Sequence, residues 1–199
     1  MIAFIKGRVA FMSPTMVVIE TSGGVGYEAQ ISLYTFQKIK DEENVRLLTH
    51  LSIKEDSHTI FGFFDEGERS LFRNLISVNG VGPSTARMIL SSLTPGDLNH
   101  AILTGDITLL KAVKGIGPKT AQRLVLELQD KVKKGESTGI EMHTAGSGTQ
   151  STARQEAISA LLMLGFNRAN VEKVVKKVVD DAKGDIEVEQ IIKIALKNL

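Results

Sequence analysis

The sequence predicts a multidomain α+β protein: a strand-rich N-terminal segment, a wholly helical middle and a compact three-helix tail. Three observations predict it. Residues 1–64 are dense in β-branched and aromatic residues, and several stretches alternate in polarity. A phrase of eight residues beginning at Asn79 recurs 35 positions later, beginning at Lys114. A Gly/Ser/Thr-rich stretch over 135–151 then breaks all periodicity, and three apolar stripes follow it.

The first segment divides into five strands, Ile2 to Phe11, Thr15 to Glu20, Gly26 to Ser32, Val45 to Ile53 and His58 to Phe64. Ser13-Pro14, Gly23-Gly24 and Glu55-Asp56-Ser57 supply turns between them. A short helix, Tyr34 to Lys40, falls between the third and fourth strands, and that order matches an OB-type (OB-like) β-barrel over residues 1–64. Eight of the ten aromatic residues lie in this segment, so stacking of bases on the barrel competes with core filling. The alternation of Ile2/Phe4 and Phe61/Phe63 favours core filling.

Residues 65–134 carry helical stripes. Leu71, Leu75, Ile76 and Val78 form one, and Ala86, Ile89, Leu90 and Leu93 the next. A capped turn at Thr94-Pro95-Gly96-Asp97 leads to Leu98, Ile102 and Leu103. Leu109, Leu110 and Val113 precede the second copy of the phrase, with Ala121, Leu124, Val125 and Leu128 after it. The repeat is Asn79-Gly80-Val81-Gly82-Pro83-Ser84-Thr85-Ala86 against Lys114-Gly115-Ile116-Gly117-Pro118-Lys119-Thr120-Ala121. Each copy reads as helix, glycine-pinned turn, helix, and neither can bury its apolar face alone, so the two are expected to pack as one unit. Glycine permits positive φ and close backbone approach, and Pro then Thr suit a helix start. Such a turn directs free N–H groups and the positive end of a helix dipole outward, which suits phosphate.

The rival phosphate motifs fail. A Walker A loop needs Gly-Lys-Ser/Thr, but Pro118 separates Gly117 from Lys119. The dinucleotide fingerprint needs a third glycine where Thr85 and Thr120 stand, and neither copy follows a predicted strand. The pattern instead resembles the tandem helix-hairpin-helix motif, whose families hold DNA phosphates without reading sequence.

Charge is distributed accordingly. The formal net charge is only +1, but residues 65–134 carry 10 Lys/Arg against 7 Asp/Glu, while the flanking segments carry 6 against 7 and 8 against 9. The surplus sits with the duplicated turns, where backbone binding needs it. The chain has no cysteine, which excludes disulfides and thiolate metal sites. His50, His58, His100 and His143 lack metal-ligand spacing. Lys6 and Arg8 interrupt the apolar N-terminus, and no apolar run approaches the roughly 18 residues of a membrane span. The expectation is a cytoplasmic protein that uses no cofactor and no membrane.

The stretch 135–151 reads as a flexible linker. In the tail, 152–199, Thr152 and Gln155 make a capping-box pair. Ala157, Leu161 and Leu164 form one stripe, Val171, Val174, Val175 and Val178 a second, and Ile191, Ile192, Ala195 and Leu196 a third. The Leu162-Met163-Leu164-Gly165-Phe166 turn resembles that of three-helix bundles of ubiquitin-associated type, which bind protein partners.

Barrel, tandem hairpins, linker and three-helix tail together resemble the RuvA family of Holliday-junction-binding proteins. The likeness covers essentially the whole chain and is most specific at Met1-Ile2-Ala3-Phe4-Ile5-Lys6-Gly7, at Thr59-Ile60-Phe61-Gly62-Phe63 and at the two hairpins. It implies a non-catalytic, junction-specific subunit of a branch-migration machine in DNA recombination and repair. It also implies a homotetramer, or an octamer of two face-to-face tetramers, holding the four arms in an open square. The tail would engage the RuvB ATPase, through Leu161, Leu162, Leu164 and Phe166, with the RuvC resolvase a further partner. DNA contacts fall to Asn79, Gly80, Gly82, Ser84, Lys114, Gly115, Gly117, Lys119, Thr120 and Arg123, with Lys54 beside them. Ser84 stands where members of the family often carry a basic residue, which weakens the expected grip of the first hairpin. Glu55 and Asp56 read from sequence alone as a solvated acidic turn, and the resemblance makes them an acidic pin at the junction centre.

Two other classes fit parts of the sequence. A helix-hairpin-helix nuclease or glycosylase would draw on Glu55, Asp56, Asp65, Glu66 and Glu68, the only dense carboxylates, but no Lys or His is placed convincingly with them. A tethered duplex-DNA module that recruits another protein would bind linear duplex as well as four-way junctions.

Overall fold

The computed structural model describes residues 1–133, 150–182 and 186–199. The expected linker lies outside these residues except for its last two, Gln150 and Ser151, which open a helix. The chain divides into two units, Met1–Ile140 and Glu141–Leu199.

In the first unit, β1 (Phe4–Ser13), β2 (Met16–Glu20), β3 (Gly26–Ile31), β4 (Asn44–Ile53) and β5 (His58–Phe63) close a barrel in the order β1-β2-β3-β5-β4. All neighbours are antiparallel except β3 and β5. The strand-and-helix order is that of an OB-type barrel. Closure needs β1 to pair with β2 on one edge and β4 on the other, and at Gly7 the β2 backbone leaves no room for a side chain. A Cβ there would lie 2.1 Å from the Glu20 carbonyl oxygen. Ile5, Val17, Ile19, Ala29, Ile31, Val45 and Leu47 alternate inward along their strands and fill the interior. α1 (Leu33–Ile39) bridges β3 to β4, capped by the Ser32 hydroxyl and burying Thr35 and Ile39.

Of the aromatic expectations, core filling by Phe61 and Phe63 holds and that by Phe4 needs correction. Phe4 is half exposed, under the Arg46 guanidinium at 4.4 Å. Phe61 and Phe63 are buried core residues as expected, on the barrel wall that faces α2, where they meet the Phe72 ring at 5.0 and 4.9 Å. Gly62 between them faces the interior, with Leu47 and Ala29 within 3.3 Å of where a Cβ would stand.

Phe72 belongs to α2 (Glu66–Ile76), which opens a helical layer continued by α3 (Pro83–Ser92), α4 (Pro95–Thr104), α5 (Ile107–Lys111) and α6 (Pro118–Lys133). Asp65, Thr94 and Asp106 cap α2, α4 and α5 with their side chains. One cluster runs from Phe61 and Phe63 through Leu71, Leu75, Ile89, Leu90, Leu98 and Ile102 to Leu110, Leu124 and Leu128. Both hairpins therefore share one core, and that core continues onto the barrel wall.

The second unit is a bundle of α7 (Gln150–Met163), α8 (Arg168–Asp181) and α9 (Val188–Ala195). Ala157, Leu161, Val171, Val175, Val178, Ile191 and Ala195 are its core. α7 starts two residues before Thr152, so Thr152 lies within the helix and is not its cap. Asn167 caps α8 through Ala169 N–H.

Candidate nucleic-acid interface

The two hairpin turns are near-copies in atomic detail. Gly80 has φ +91° and Gly115 φ +87°, the left-handed region that favours glycine. After each, an aliphatic residue turns inward: Val81 and Ile116 are buried, and their N–H groups donate to Val78 and Val113 carbonyls at 3.1 Å. Then comes the second glycine, whose carbonyl accepts the first helical bond, from Ala86 and from Ala121, at 2.9 Å in both copies. Gly82 is the N-cap of α3, at φ −84° and ψ 169°, and has no side chain to satisfy the helix's first N–H groups.

Gly82 and Gly117 show what the glycines are for. Their backbone does not require glycine, since neither has positive φ, and a Cβ on either would meet no atom within 4 Å. No contact inside the protein explains the missing side chain, and the bare backbone lies open at the surface. A backbone stripped of side chains at a helix N-terminus suits a phosphate oxygen.

Asn79, Ser84, Lys114 and Lys119 are exposed around these turns, and Thr120 is half-buried. Arg123 has a second task. Its Nη1 donates to the Asn79 carbonyl at 3.2 Å and its Nε lies 3.8 Å from Glu127, so it ties the second hairpin's helix to the first hairpin's turn. Lys131, donating to Ser77 Oγ at 2.5 Å, repeats this link one end further along. Sequence reasoning missed both cross-links, because nothing local predicts a partner 44 or 54 residues away.

Lys54, Glu55 and Asp56 occupy the turn between β4 and β5 and are exposed. Lys54 N–H donates to the Ser57 carbonyl at 2.8 Å, closing the turn. The other carboxylates are not gathered there. Glu66 pairs with Arg69. Asp65 caps α2 and accepts from the Tyr34 hydroxyl at 3.0 Å. Glu68 is fully buried, accepting from the Ser32 and Thr35 hydroxyls and from Phe64 N–H at 3.2 Å. Burial pushes its pKa up, against the pull of the hydrogen bonds. The five acidic residues thus form no shared site, and no group of three His, Asp or Glu that could hold a metal occurs among the described residues. His50, packed on Phe72 at 5.3 Å, has its pKa lowered by burial and then by Arg73 and Arg69.

In the tail, Leu161 is fully buried and is core rather than contact surface, which corrects its expected role. Leu162 is half-buried against the same core. Met163, Leu164 and Phe166 are the exposed members of the turn, Met163 and Leu164 by more than 60%.

A barrel of OB type carrying two congruent helix-hairpin-helix turns defines a class of proteins that hold nucleic-acid backbone. Comparison with known proteins narrows the class. The family model described as RuvA N terminal domain matches residues 1–62, SAM-like Helix-hairpin-helix tandem matches 72–130, and RuvA, C-terminal domain matches 152–199. The protein named Holliday junction branch migration complex subunit RuvA in Christiangramia forsetii is 49% identical over 201 residues, covering 100% of both chains. Those of the same name in Amoebophilus asiaticus and Flavobacterium psychrophilum are 46% and 45% identical, each covering 99% or more of this chain and 100% of the relative. The chain belongs to the RuvA family.

Proposed function

We propose that this chain is the junction-binding, non-catalytic subunit of a branch-migration complex: it holds four-way DNA open without reading sequence and recruits an ATPase motor of the RuvB type. The observation that carries the reading is the pair of open glycines, Gly82 and Gly117, on matched turns that share one core. Backbone amides at such turns grip phosphates and carry no base information. In this reading Asn79, Gly80, Ser84, Lys114, Gly115, Lys119 and Thr120 surround the bound phosphates, and Arg123 divides its donors between phosphate and the Asn79 carbonyl. Glu55 and Asp56 form the pin, with Lys54 beside it to steady a phosphate. Family membership supports assembly as a homotetramer, or as two tetramers, a cytoplasmic location, and contact with a RuvC-type resolvase. Among the described residues no helix is long and apolar enough to cross a membrane.

The test is affinity for an immobile four-way junction against linear duplex of equal length, at fixed salt because phosphate binding is salt-dependent. Strong preference for the junction is expected. Equal affinities would leave only a duplex-binding module.

A further inference from the structure

The two hairpins share a backbone and differ in what holds them. The first is fastened to the barrel by three polar side chains. Arg87 on α3 donates through Nη1 to the Thr15 carbonyl at 3.0 Å and the Ile31 carbonyl at 3.4 Å. Ser91, one turn on, accepts from Leu33 N–H at 3.1 Å. Glu68 on α2 accepts from Ser32 and Thr35. All three converge on one corner, where β3 runs into α1. The 35-residue shift that superposes the phrases puts Leu103, Gln122 and Leu126 at the equivalent places in the second copy. Neither leucine side chain can hydrogen-bond, Gln122 is exposed and carries no charge, and the main packing of α5 and α6 is on α4, on α2 and on each other. The cations are distributed the opposite way. The second turn carries Lys114 and Lys119, both exposed, where the first has Asn79 and Ser84.

We infer that the hairpins divide the work: Arg87, with Ser91 and Glu68, is a positioning residue that fixes the first hairpin against the barrel, while Lys114 and Lys119 on the second supply the charge-driven attraction. The inference rests on the DNA-binding reading above. Its physical basis is that charge and rigidity have separate signatures. A lysine on a phosphate releases counterions, so each contact removed lowers the slope of log K against log salt by about 0.9. It does so for any duplex arm alike. A side chain whose guanidinium is spent on barrel carbonyls touches no phosphate and leaves that slope unchanged. What it controls is the angle between the first hairpin and the β4–β5 turn, which one straight duplex does not test and a four-way ligand does. An Arg side chain donating to two carbonyls, one in the β1–β2 turn and one at the end of β3, fixes an angle that one flexible ammonium does not.

The full chain is titrated with a labelled four-way junction and a linear duplex over a series of KCl concentrations. For K114Q/K119Q the salt slope should fall on both ligands, with the junction-to-duplex ratio kept. For R87Q the slope should hold and the ratio should fall roughly tenfold, the worth of one charge-assisted hydrogen bond, with R87K partly restoring it. S91A, which removes one acceptor and no charge, should move the ratio in the same direction with the fold intact by circular dichroism. A lowered salt slope in R87Q would make Arg87 a phosphate contact and overturn the inference, as would an unchanged ratio in both R87Q and S91A. A parent protein with no junction preference would instead defeat the underlying reading, so the two failures are distinguishable.

Discussion

The hairpin turns and the turn of the tail begin from the same punctuation and end in different chemistry. Gly80, Gly115 and Gly165 all sit at φ near +90°, each between two helices. In the hairpins the aliphatic residue after the glycine turns inward, and a second glycine leaves bare backbone outside. In the tail, Gly165 N–H returns to Leu162 and Phe166 N–H to Leu161, a Schellman ending that satisfies the last carbonyls of α7. Bulky side chains, Leu164 and Phe166, stand on either side of it. The first arrangement leaves backbone bare at a helix N-terminus, which suits an anion, and the second leaves apolar side chains exposed, which suits a protein partner. A glycine between helices is therefore no functional signal by itself; what its neighbours bury and what they leave open is the signal.

The largest effect should come from the tail. Removing residues 150–199 is expected to abolish ATP-driven branch migration with the motor while leaving junction binding unchanged, since the barrel and hairpins have a core of their own. Leu164→Asp should reproduce the loss of motor capture in a pull-down without unfolding the bundle. Leu161→Ala is the contrasting variant: as a core leucine it should cost about 2–5 kcal/mol and unfold the tail. Junction binding lost with motor capture intact would reverse the assignment of the two kinds of turn.

Next in size is the bare backbone of the hairpins. Gly117→Val, and likewise Gly82→Val, should weaken junction binding by about tenfold or more through exclusion of the phosphate, equally for all sequences. Thermal melting should fall only slightly, because the added Cβ meets no protein atom and the remaining cost is that of a poorer helix N-cap. Gly115→Val separates conformation from access, since forcing a β-branched residue to φ +87° should destabilise by about 1–2 kcal/mol or more. Parent-like binding by Gly117→Val across a salt series would remove that hairpin from the interface.

Much of this was legible in the sequence, and the limits have physical causes. The repeat exposed the hairpins because it places the same residue types in the same order twice. Strand alternation located β1 to β5 to within a few residues. A period of two says that Phe61 and Phe63 share a face but not which face, and they turn away from the barrel interior onto Phe72. The same ambiguity misplaces Phe4, which is half exposed. Leu164 follows the stripe of Ala157 and Leu161, but it lies one residue past the end of α7, so the stripe ends at Leu161. Glu68, in the first turn of α2, reads as a carboxylate favoured by the helix dipole. Its burial depends on Ser32 and Thr35, 36 and 33 residues upstream, and no local pattern carries that.

Glu68 also gives a pH dependence that sharpens the contrast between anchored and locally capped turns. Its folded pKa is raised, so the folded state holds the proton more tightly than the unfolded chain. Its contribution to stability is complete below the ordinary carboxylate pKa and is lost as pH rises through the folded value. Urea unfolding of the first unit's signal should therefore show stability falling over that window, and Glu68→Gln should flatten it. The tail, whose turn is capped by Asn167 and its own backbone, should not respond to this substitution. A falling slope that survives in Glu68→Gln would place the titration elsewhere, and not on His50. His50 predicts the opposite sign, because a lowered histidine pKa makes stability rise with pH.

The smallest effect concerns a third kind of turn, in which the exposed groups are neither amides nor apolar side chains but charges. Glu55 and Asp56 lie open to solvent on the β4–β5 turn, where the Ser57 hydroxyl makes a 3.3 Å contact to Asp56. Neutralising both, as E55Q/D56N, removes repulsion from DNA phosphates and nothing that supports the fold. Exposed charges interact weakly and are screened over about 10 Å at 0.1 M salt. Binding should thus tighten only a few-fold, clearly at low salt and hardly at high salt. The tightening should be greater for uninterrupted duplex than for a junction, because an open junction centre leaves room for the carboxylates and a continuous helix does not. The junction-to-duplex ratio, measured in parallel at two salt concentrations, therefore falls in the double variant. A ratio that stays constant while both affinities rise together would reduce the pair to a solvated turn acting by net charge, and would leave discrimination to the angle at which the hairpins are held.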